Sequence, residues 1–352
     1  MIKKNLLKFN LDDLKEEFEK VGIKGYRAKQ VFNWIYRNGI IEFQKMDNLP
    51  QTLINELAGK YEIADLKLDK KLIAKDGTQK YLWKTKDNNL LESVFLPYQD
   101  ENRYSICVSS QIGCSLGCKF CATGVDGLQR DLSVSEIIEQ VLKIQIDISP
   151  KEYGNPKISN IVFMGMGEPF LNYENVMKAV SILNNEKGLN IGIRRITIST
   201  SGIINKIKTL ADQNKQIGLA ISLNAPNNQL RNELMPINRK YNLDKLMEAV
   251  NYYIRRTNRR VTFEYVLMKG INDKEIHAEQ LVALLKNKLV HLNLIPANPV
   301  PGLDIKRPSK TVAKYFKERL EKNDISTTIR VEKGTNIKAA CGQLRASYKN
   351  GG

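Results

Sequence analysis

The sequence predicts an α/β fold, an open or partial barrel of six βα units with a small helical domain in front of it. From Tyr104 onward, short apolar segments alternate with segments of helical periodicity, whereas residues 1–72 show mainly helical periodicity. Apolar strands separated by helices form a parallel sheet that the helices cover. Six βα units are too few to close an eightfold barrel, so we expect the barrel to stay open.

Residues 1–72 contain three segments with a helical apolar stripe. Leu11 and Phe18 share one face of the first segment. Gly39 is typical of a residue that ends a helix, and Pro50 is typical of a first helical turn. We therefore predict a helical N-terminal domain.

Short β-type runs occupy residues 73–99, where the turn signals KDG and KDNN separate them, and we expect a β-rich linker there. The strands of the barrel follow this linker. In order, they are YSICVSS, ISNIVFMG, RRITIST, IGLAISL, RVTFEYVLM, VHLNLIP and STTIRV.

Unusual residues stand at the carboxyl ends of these strands. They are Cys107 with the cysteine loop, GMGEP, STSG, SLNAP, IPANPVPG and ACGQL, which follow the first, second, third, fourth, sixth and last strands. Parallel strands bring their carboxyl ends to one rim, and α/β enzymes place their active sites there. We expect the functional site at this rim.

The charge of the chain is strongly positive, with 55 Lys and Arg against 38 Asp and Glu, a net charge of +17. Such a surface favours nucleic acid as a partner and, in second place, an acidic membrane surface. The alternative is a basic surface that has no specific partner. No apolar run approaches the length of a transmembrane helix, and the N-terminus lacks the features of a secretory signal. We expect a reduced, cytoplasmic protein with no membrane partner.

Four of the five cysteines lie between residues 106 and 124, and three of them form the pattern C-x-x-x-C-x-x-C at Cys114, Cys118 and Cys121. Structural zinc usually needs four ligands, and the only nearby fourth thiol, Cys107, lies within a predicted strand. An iron–sulfur cubane held by three cysteines keeps one iron open for a substrate or cofactor. The pattern favours the cluster over zinc.

The motif C-x-x-x-C-x-F-C, with Phe120 before its last cysteine, is the signature of radical S-adenosylmethionine enzymes. Nearly the whole chain resembles one family of them, the dual-specificity RNA adenine-C2 methyltransferases. The motifs that carry the resemblance are GYRAKQVFNWIY, SSQIGCSLGCKFC, FMGMGEP, STSG, LMPIN, NLIPANPVPG and AACGQL, in this order.

The resemblance implies a [4Fe-4S] cluster and S-adenosylmethionine as cofactors, and two molecules of S-adenosylmethionine per turnover. Carbon 2 of adenine is electron-poor and cannot attack a sulfonium methyl group, so the methyl group must arrive by radical chemistry. In the family, one S-adenosylmethionine methylates a cysteine, and a second yields the 5′-deoxyadenosyl radical that activates this methyl group for addition to the base.

Three catalytic residues are carried over from the family. Cys341 matches the methylated cysteine, and Gly342 beside it would let the base approach closely. Cys107 matches the thiol that resolves the protein–RNA adduct through a transient disulfide, and Glu92 matches the proton acceptor. The alternatives are a small buried apolar residue for Cys341 and an exposed strand carboxylate for Glu92.

The family's cofactor contacts fall on motifs at the predicted rim. They match Gly167, Glu168, Ser199, Ser222, Leu223, Asn224 and Asn298. A carboxylate at Glu168 can hold the cofactor's ammonium group, and Asn298 could bind an adenine edge. Many members have histidine where this chain has Asn224, and both residues can donate a hydrogen bond.

The resemblance also implies a domain division. The expected parts are 1–72, a helical accessory domain that docks RNA; 73–99, the β-rich linker; 100–334, the radical SAM core; and 335–352, a C-terminal loop with the methyl-carrying cysteine. The basic stretches INRKY and RRTNRR could follow RNA phosphates, although solvated helix ends explain either one alone.

The expected partners are 23S ribosomal RNA, transfer RNA, and an external electron donor such as flavodoxin or ferredoxin, and we expect a monomer. Two other functions stay open at this point. One is methylation of carbon 8 of the same base, which confers antibiotic resistance. The other is a non-catalytic, zinc-dependent RNA-binding protein.

Overall fold

The computed structural model describes residues 3–149, 157–298, 302–331, 333–339 and 342–344. Its N-terminal part is helical, as predicted. The elements are β1 (Lys4–Asn5), α1 (Leu11–Lys20), α2 (Tyr26–Tyr36), α3 (Gln51–Lys60) and β2 (Tyr61–Glu62). Asn10 caps α1 because its side-chain oxygen accepts hydrogen bonds from the N–H groups of Asp12 and Asp13. Phe18 of α1 is fully buried.

The rest of the described chain alternates strands with helices. The strands are β3 (Lys67–Ile73), β4 (Gln79–Lys84), β5 (Leu90–Tyr98), β6 (Arg103–Cys107), β7 (Gln111–Gly113), β8 (Leu128–Asp131), β9 (Asn160–Phe163), β10 (Ile196–Thr200), β11 (Gly218–Ser222), β12 (Val261–Leu267), β13 (Val290–Pro296) and β14 (Ser326–Ile329). The helices are α4 (Val134–Ile148), α5 (Tyr173–Asn184), α6 (Ile204–Asp212), α7 (Asn228–Leu234), α8 (Leu243–Thr257), α9 (Glu275–Leu285) and α10 (Lys310–Glu321). None of these helices has both the length and the apolar character needed to cross a bilayer.

A ten-stranded sheet organises these elements, in the order β14-β13-β12-β11-β10-β9-β6-β5-β4-β3. From β6 to β14 the neighbouring strands are parallel, and a helix connects each one to the next. The two edge strands, β14 and β3, do not pair with each other, so the barrel is open. This confirms the predicted fold of an α/β partial barrel with a helical N-terminal region.

Residues 73–99 add antiparallel strands to the same sheet. β5 pairs with β6 in antiparallel register, so that Val94 lies opposite Cys107. β3 and β4 extend the sheet further, and β3 begins at Lys67, before the expected linker. The domain limits remain predictions, but β3 to β5 continue the sheet of the core.

The N-terminal region is joined to the core through a buried carboxylate on α4. Glu139 is fully buried, and its Oε2 accepts hydrogen bonds from the N–H groups of Asp65 at 2.8 Å and Leu66 at 2.7 Å. Its Oε1 accepts another from the amide of Asn5 at 3.2 Å, and Lys143 lies 3.8 Å from Oε2. Burial nevertheless raises the pKa of Glu139 from 4.5 to about 7.

We predict that Glu139→Gln makes the stability of the protein less dependent on pH between about 5 and 7. The pKa of Glu139 is higher in the folded protein than in the unfolded chain, so Glu139 loses its proton first in the unfolded chain as the pH rises. The free energy of unfolding of the wild type therefore falls over this range, by on the order of 3 kcal/mol. Thermal unfolding of the holoprotein across this range measures the effect. The exposed Glu318, replaced in the same way, serves as control, and equal pH slopes for wild type and Glu139→Gln would contradict the assignment.

Candidate active site

A cavity opens at the carboxyl ends of the parallel strands, where the sequence predicts the site. The cysteine loop after β6, the loop after β9 and the ends of β10 to β13 line it, and Gly342 and Leu344 approach from the C-terminal segment. Cys114, Cys118 and Cys121 all face this cavity. The parallel sheet therefore brings together chain segments that are far apart in the sequence.

Backbone hydrogen bonds fix the conformation of the cysteine loop. Cys114 donates its N–H to the carbonyl of Gly127 at 3.0 Å, and Cys121 donates to the carbonyl of Cys118 at 3.1 Å. Gly113 has a φ of 77°, and a Cβ atom there would lie 1.9 Å from the Gly127 oxygen. Only glycine permits this turn, so the spacing of the three thiols depends on it.

The C-terminal segment is tied to the same loop on one side of Cys341. The N–H of Ala122 donates to the carbonyl of Gly342 at 2.8 Å, and the hydroxyl of Thr123 donates to the carbonyl of Leu344 at 2.7 Å. Cys341 itself lies outside the described residues. Gly342, the residue after Cys341, is therefore bound to Ala122, which directly follows Cys121 in the sequence.

The thiols lie in an environment that disfavours free thiolates. Burial raises the pKa of Cys114 to about 11 and raises that of Cys118 further, and the neighbouring thiols add to both shifts. Metal coordination reverses this preference, because a bound cation stabilises the thiolate.

Within the described ranges, no three Cys, His, Asp or Glu side chains are grouped as ligands of one metal ion. A zinc ion needs its ligands around a single point, whereas each thiolate of a cubane binds its own iron atom. Three thiols that line one cavity, each able to bind its own iron atom, fit a [4Fe-4S] cluster.

The loop after β9 presents a buried carboxylate to the cavity. Gly167 has a φ of 97°, and a Cβ atom there would lie 2.5 Å from Cβ of Gln111. The Gln111 side chain accepts the N–H of Glu168 at 2.8 Å, and the Glu168 carboxylate accepts the N–H groups of Phe170 at 3.1 Å and Ser201 at 2.7 Å. Burial raises the pKa of Glu168. The side chains of Thr200 and Ser201 also form hydrogen bonds to this carboxylate, which is therefore held rigidly at the edge of the cavity.

Other predicted cofactor contacts also reach the cavity. Ser199, Ser222, Asn224 and Asn298 line it, as Gly167 and Glu168 do. Leu223 is fully buried and is absent from the lining; its N–H donates to the carbonyl of Glu264 at 2.9 Å. Leu223 thus supports the wall from behind, and its contact with the cofactor stays a prediction.

The structure explains the residue choice at Asn224. Its φ of 56° lies in the left-handed region, which asparagine and histidine tolerate better than most residues. Its side-chain oxygen accepts the N–H of Val266 at 2.8 Å, and its side-chain nitrogen lies 3.5 Å from the sulfur of Met235. Asn224 therefore shapes the strand end, and only its NH₂ group is left for a ligand.

Cys107 lines a second, smaller cleft next to the cavity. Met164, Ile295 and Asn298 belong to both linings, so the two spaces adjoin. Val94 lies opposite Cys107 across the strand pair, and Glu92, two residues earlier, points to the same face of the sheet. The position of Glu92 is compatible with the expected role near Cys107.

Glu92 is buried and ion-paired. Its Oε1 lies 2.9 Å from Nζ of Lys80, and both side chains are almost inaccessible to solvent. Lys80 also donates to the carbonyl of Lys338 at 3.3 Å. The exposed-carboxylate alternative for Glu92 is wrong, because the side chain is 5% exposed.

Two cavity residues escaped the sequence analysis. Glu264 of β12 is buried, accepts the amide of Asn293 at 2.9 Å and lies 4.0 Å from the guanidinium of Arg330. Burial raises the pKa of Glu264. A lone acid within the apolar run TFEYVL was the available signal for Glu264, whereas no pattern singles out Arg330.

The basic stretch RRTNRR lies away from this cavity. It runs from the end of α8 to the start of β12, at the amino ends of the strands. Arg256 lies 3.7 Å from Asp212, and Arg259 and Arg260 line a separate cleft with Arg194. Because RRTNRR lies at the opposite ends of the strands, it would not contact an RNA at the rim of the cavity.

Comparisons with known proteins show what the chain as a whole is similar to. Residues 108–281 match the model of the radical SAM superfamily, and residues 4–63 match the N-terminal domain of the ribosomal RNA large subunit methyltransferase. The chain is 48% identical over 346 residues to a probable dual-specificity RNA methyltransferase RlmN of Clostridium novyi, with 98% of each chain covered. It is 45% identical over 344 residues to the Dictyoglomus thermophilum protein of the same name, covering 98% of this chain and 97% of that protein.

Among solved structures, a radical SAM methyltransferase from Sphaerobacter thermophilus is similar over 98% of this chain and 100% of its own. The sequence identity is 43% and the TM-score is 0.94. The fold of the whole described chain, and not only of its core, is therefore shared with a methyltransferase.

We predict that Gly167→Ala weakens S-adenosylmethionine binding by about tenfold or more, because the added Cβ displaces Gln111 and with it the Glu168 loop. Gly192→Ala is the matched control: its φ is −54°, and its Cβ would meet only a side-chain atom of Arg195 at 3.9 Å. Titration calorimetry on the reconstituted proteins measures both. Unchanged affinity in Gly167→Ala would show that this loop does not hold the cofactor.

Proposed function

Since the chain belongs to the RlmN family of radical SAM dual-specificity RNA methyltransferases, we propose which of its residues carry out the family reaction. That reaction is methylation of carbon 2 of adenine in RNA, with a [4Fe-4S] cluster and S-adenosylmethionine as cofactors. The observation that carries the residue assignments is the convergence of the three cavity thiols, the Glu168 loop and Gly342 on one rim.

Cys114, Cys118 and Cys121 hold the cluster. The support is the common position of the three thiols in the cavity and, for Cys114 and Cys118, a desolvation that penalises the thiolate until a cation is bound. When bound, the cluster supplies the electron for reductive cleavage of S-adenosylmethionine, which opens a radical route to a carbon that polar substitution cannot methylate.

The strand ends around this loop bind S-adenosylmethionine. Glu168 accepts hydrogen bonds from the ammonium group of the cofactor. This role is supported by its carboxylate, which is fixed by two backbone N–H groups and lines the cavity. Ser199, Ser222 and Asn298 supply further polar groups at the same rim. Leu116, Phe120 and Val266 give the cavity apolar surface that excludes water from the cofactor.

Cys341 carries the methyl group. This role is supported by its neighbour Gly342, which is bound to the cluster loop through Ala122 and lines the cavity. Cys107 resolves the adduct between protein and RNA, and Glu92 accepts the proton that the base loses. The shared strand face of Glu92 and Cys107, and the adjoining clefts, support these two roles.

Ribosomal and transfer RNA are the proposed substrates, and a flavodoxin or ferredoxin is the proposed electron donor. RNA binding is favoured by the net charge of +17, which also predicts that affinity falls with salt. We further propose a cytoplasmic monomer. The N-terminal region, which matches the family's N-terminal domain over residues 4–63, is the proposed docking element for RNA.

We predict that Cys341→Ala abolishes methyl transfer but retains reductive cleavage of S-adenosylmethionine. Anaerobic turnover on unmodified RNA is measured with protein of known iron and sulfide content, and mass spectrometry of the digested RNA locates the methyl group. Methylation by the variant would refute the role of Cys341. A methyl group on carbon 8 would refute the site of modification, and wild-type protein with zinc and no sulfide would refute the mechanism.

We predict that Glu92→Gln slows methylation by about a hundredfold or more, because glutamine cannot accept the proton of the base. Glu318→Gln is the control, since Glu318 also pairs with a lysine, Lys314, but lies on α10 away from the proposed sites. Rates of product formation and of 5′-deoxyadenosine release are compared in single turnovers. A normal methylation rate in Glu92→Gln would remove the assignment.

A further inference from the structure

Arg231 is a buried cation without a buried carboxylate partner. It lies on α7 and is fully inaccessible to solvent. In the described part of the chain, its four hydrogen bonds all go to neutral acceptors. Burial lowers its pKa to about 10, so the guanidinium is still charged at neutral pH. A buried charge of this kind is costly unless an opposite charge lies nearby.

The guanidinium holds the ends of two strands that form the cavity rim. Nη2 donates to the carbonyls of Ser201 at 2.7 Å and Ser222 at 3.1 Å, and Nε donates to the carbonyl of Leu223 at 3.1 Å. Nη1 donates to the side-chain oxygen of Asn238 at 2.9 Å. The three hydrogen bonds to carbonyl groups explain how Arg231 stabilises the strand ends. They do not supply a negative charge to balance the guanidinium.

The cluster loop lies next to this cation. The N–H of Lys119 donates to the carbonyl of Leu234, at the end of α7, at 3.0 Å. Cys118 packs against the apolar cluster that contains Leu234, the last residue of α7, and Met235 directly after it. Ser201 and Ser222, whose carbonyls accept the hydrogen bonds of Arg231, line the same cavity as Cys118.

We propose that Arg231 is the countercharge of the iron–sulfur cluster and that it raises the midpoint potential of the cluster. This inference rests on the ligand assignment of the proposed function. A cubane bound by three thiolates carries net negative charge, and one-electron reduction adds a further negative charge. A fixed buried cation beside it stabilises the reduced state more than the oxidised state, since net charge is among the factors that set cluster potentials.

Two variants separate the charge from the hydrogen bonds. Arg231→Lys keeps a cation and Arg231→Gln removes it, while both retain donors for the rim carbonyls. In a redox titration of the reconstituted full-length protein, monitored by electron paramagnetic resonance, we expect a more negative midpoint for Arg231→Gln than for Arg231→Lys, with the lysine variant close to wild type. Arg256→Gln removes the same charge from a side chain that is 56% exposed, and we expect no shift.

Asn238→Asp tests the proposal without removing the guanidinium. The new carboxylate would lie within hydrogen-bond distance of Nη1 and neutralise the countercharge, so we expect a negative shift here as well. This variant decides the matter if Arg231→Gln does not fold.

Equal midpoints in Arg231→Lys and Arg231→Gln, or an unchanged midpoint in Asn238→Asp, would overturn the proposal. Either result would leave the proposed function intact, because the cluster would be present. Wild-type protein without iron and sulfide would instead refute the ligand assignment itself.

Discussion

The parallel register of β6 and of β9 to β14 is the constraint on which the rest of this structure depends. It points the carboxyl end of every one of these strands toward the same rim, so Cys114 after β6, Glu168 after β9 and Asn298 after β13 line one cavity although they are far apart in the sequence. The sheet does not close, and beyond β6 it continues through the antiparallel strands β5, β4 and β3. An antiparallel sheet would have divided these residues between two opposite rims.

Buried ionisable groups are concentrated at the rim. Glu168 and Glu264 have raised pKa values because they are desolvated, and burial likewise disfavours the thiolates of Cys114 and Cys118. On the other side of the cluster loop, Arg231 is cationic and has only neutral hydrogen-bond acceptors. Such a set is unfavourable for folding alone, and it becomes favourable when a charged cofactor supplies the opposite charges.

The parts outside the parallel core are attached through their backbones. Glu139 accepts the N–H groups of Asp65 and Leu66, which secures the end of the N-terminal region to α4. In the C-terminal segment, the carbonyls of Gly342 and Leu344 are bound by Ala122 and Thr123 of the cluster loop. In each of these bonds at least one partner is a main-chain atom. Every residue has such atoms, so the sequence gives little indication of these contacts.

The sequence by itself determined the fold class and the rim at which the site lies, because both depend on hydrophobic periodicity, which neighbouring residues along the chain set directly. The spacing of three cysteines favoured an iron–sulfur cluster, and the resemblance of the motifs to a known family implied the cofactors. Only the tertiary structure decided that β3 to β5 continue the sheet of the core, that Leu223 stands behind the cavity wall, and that RRTNRR lies at the opposite ends of the strands. It also brought Glu264 and Arg231 to the site. Their significance comes from burial and from the charge of distant segments, and no local pattern encodes either of these.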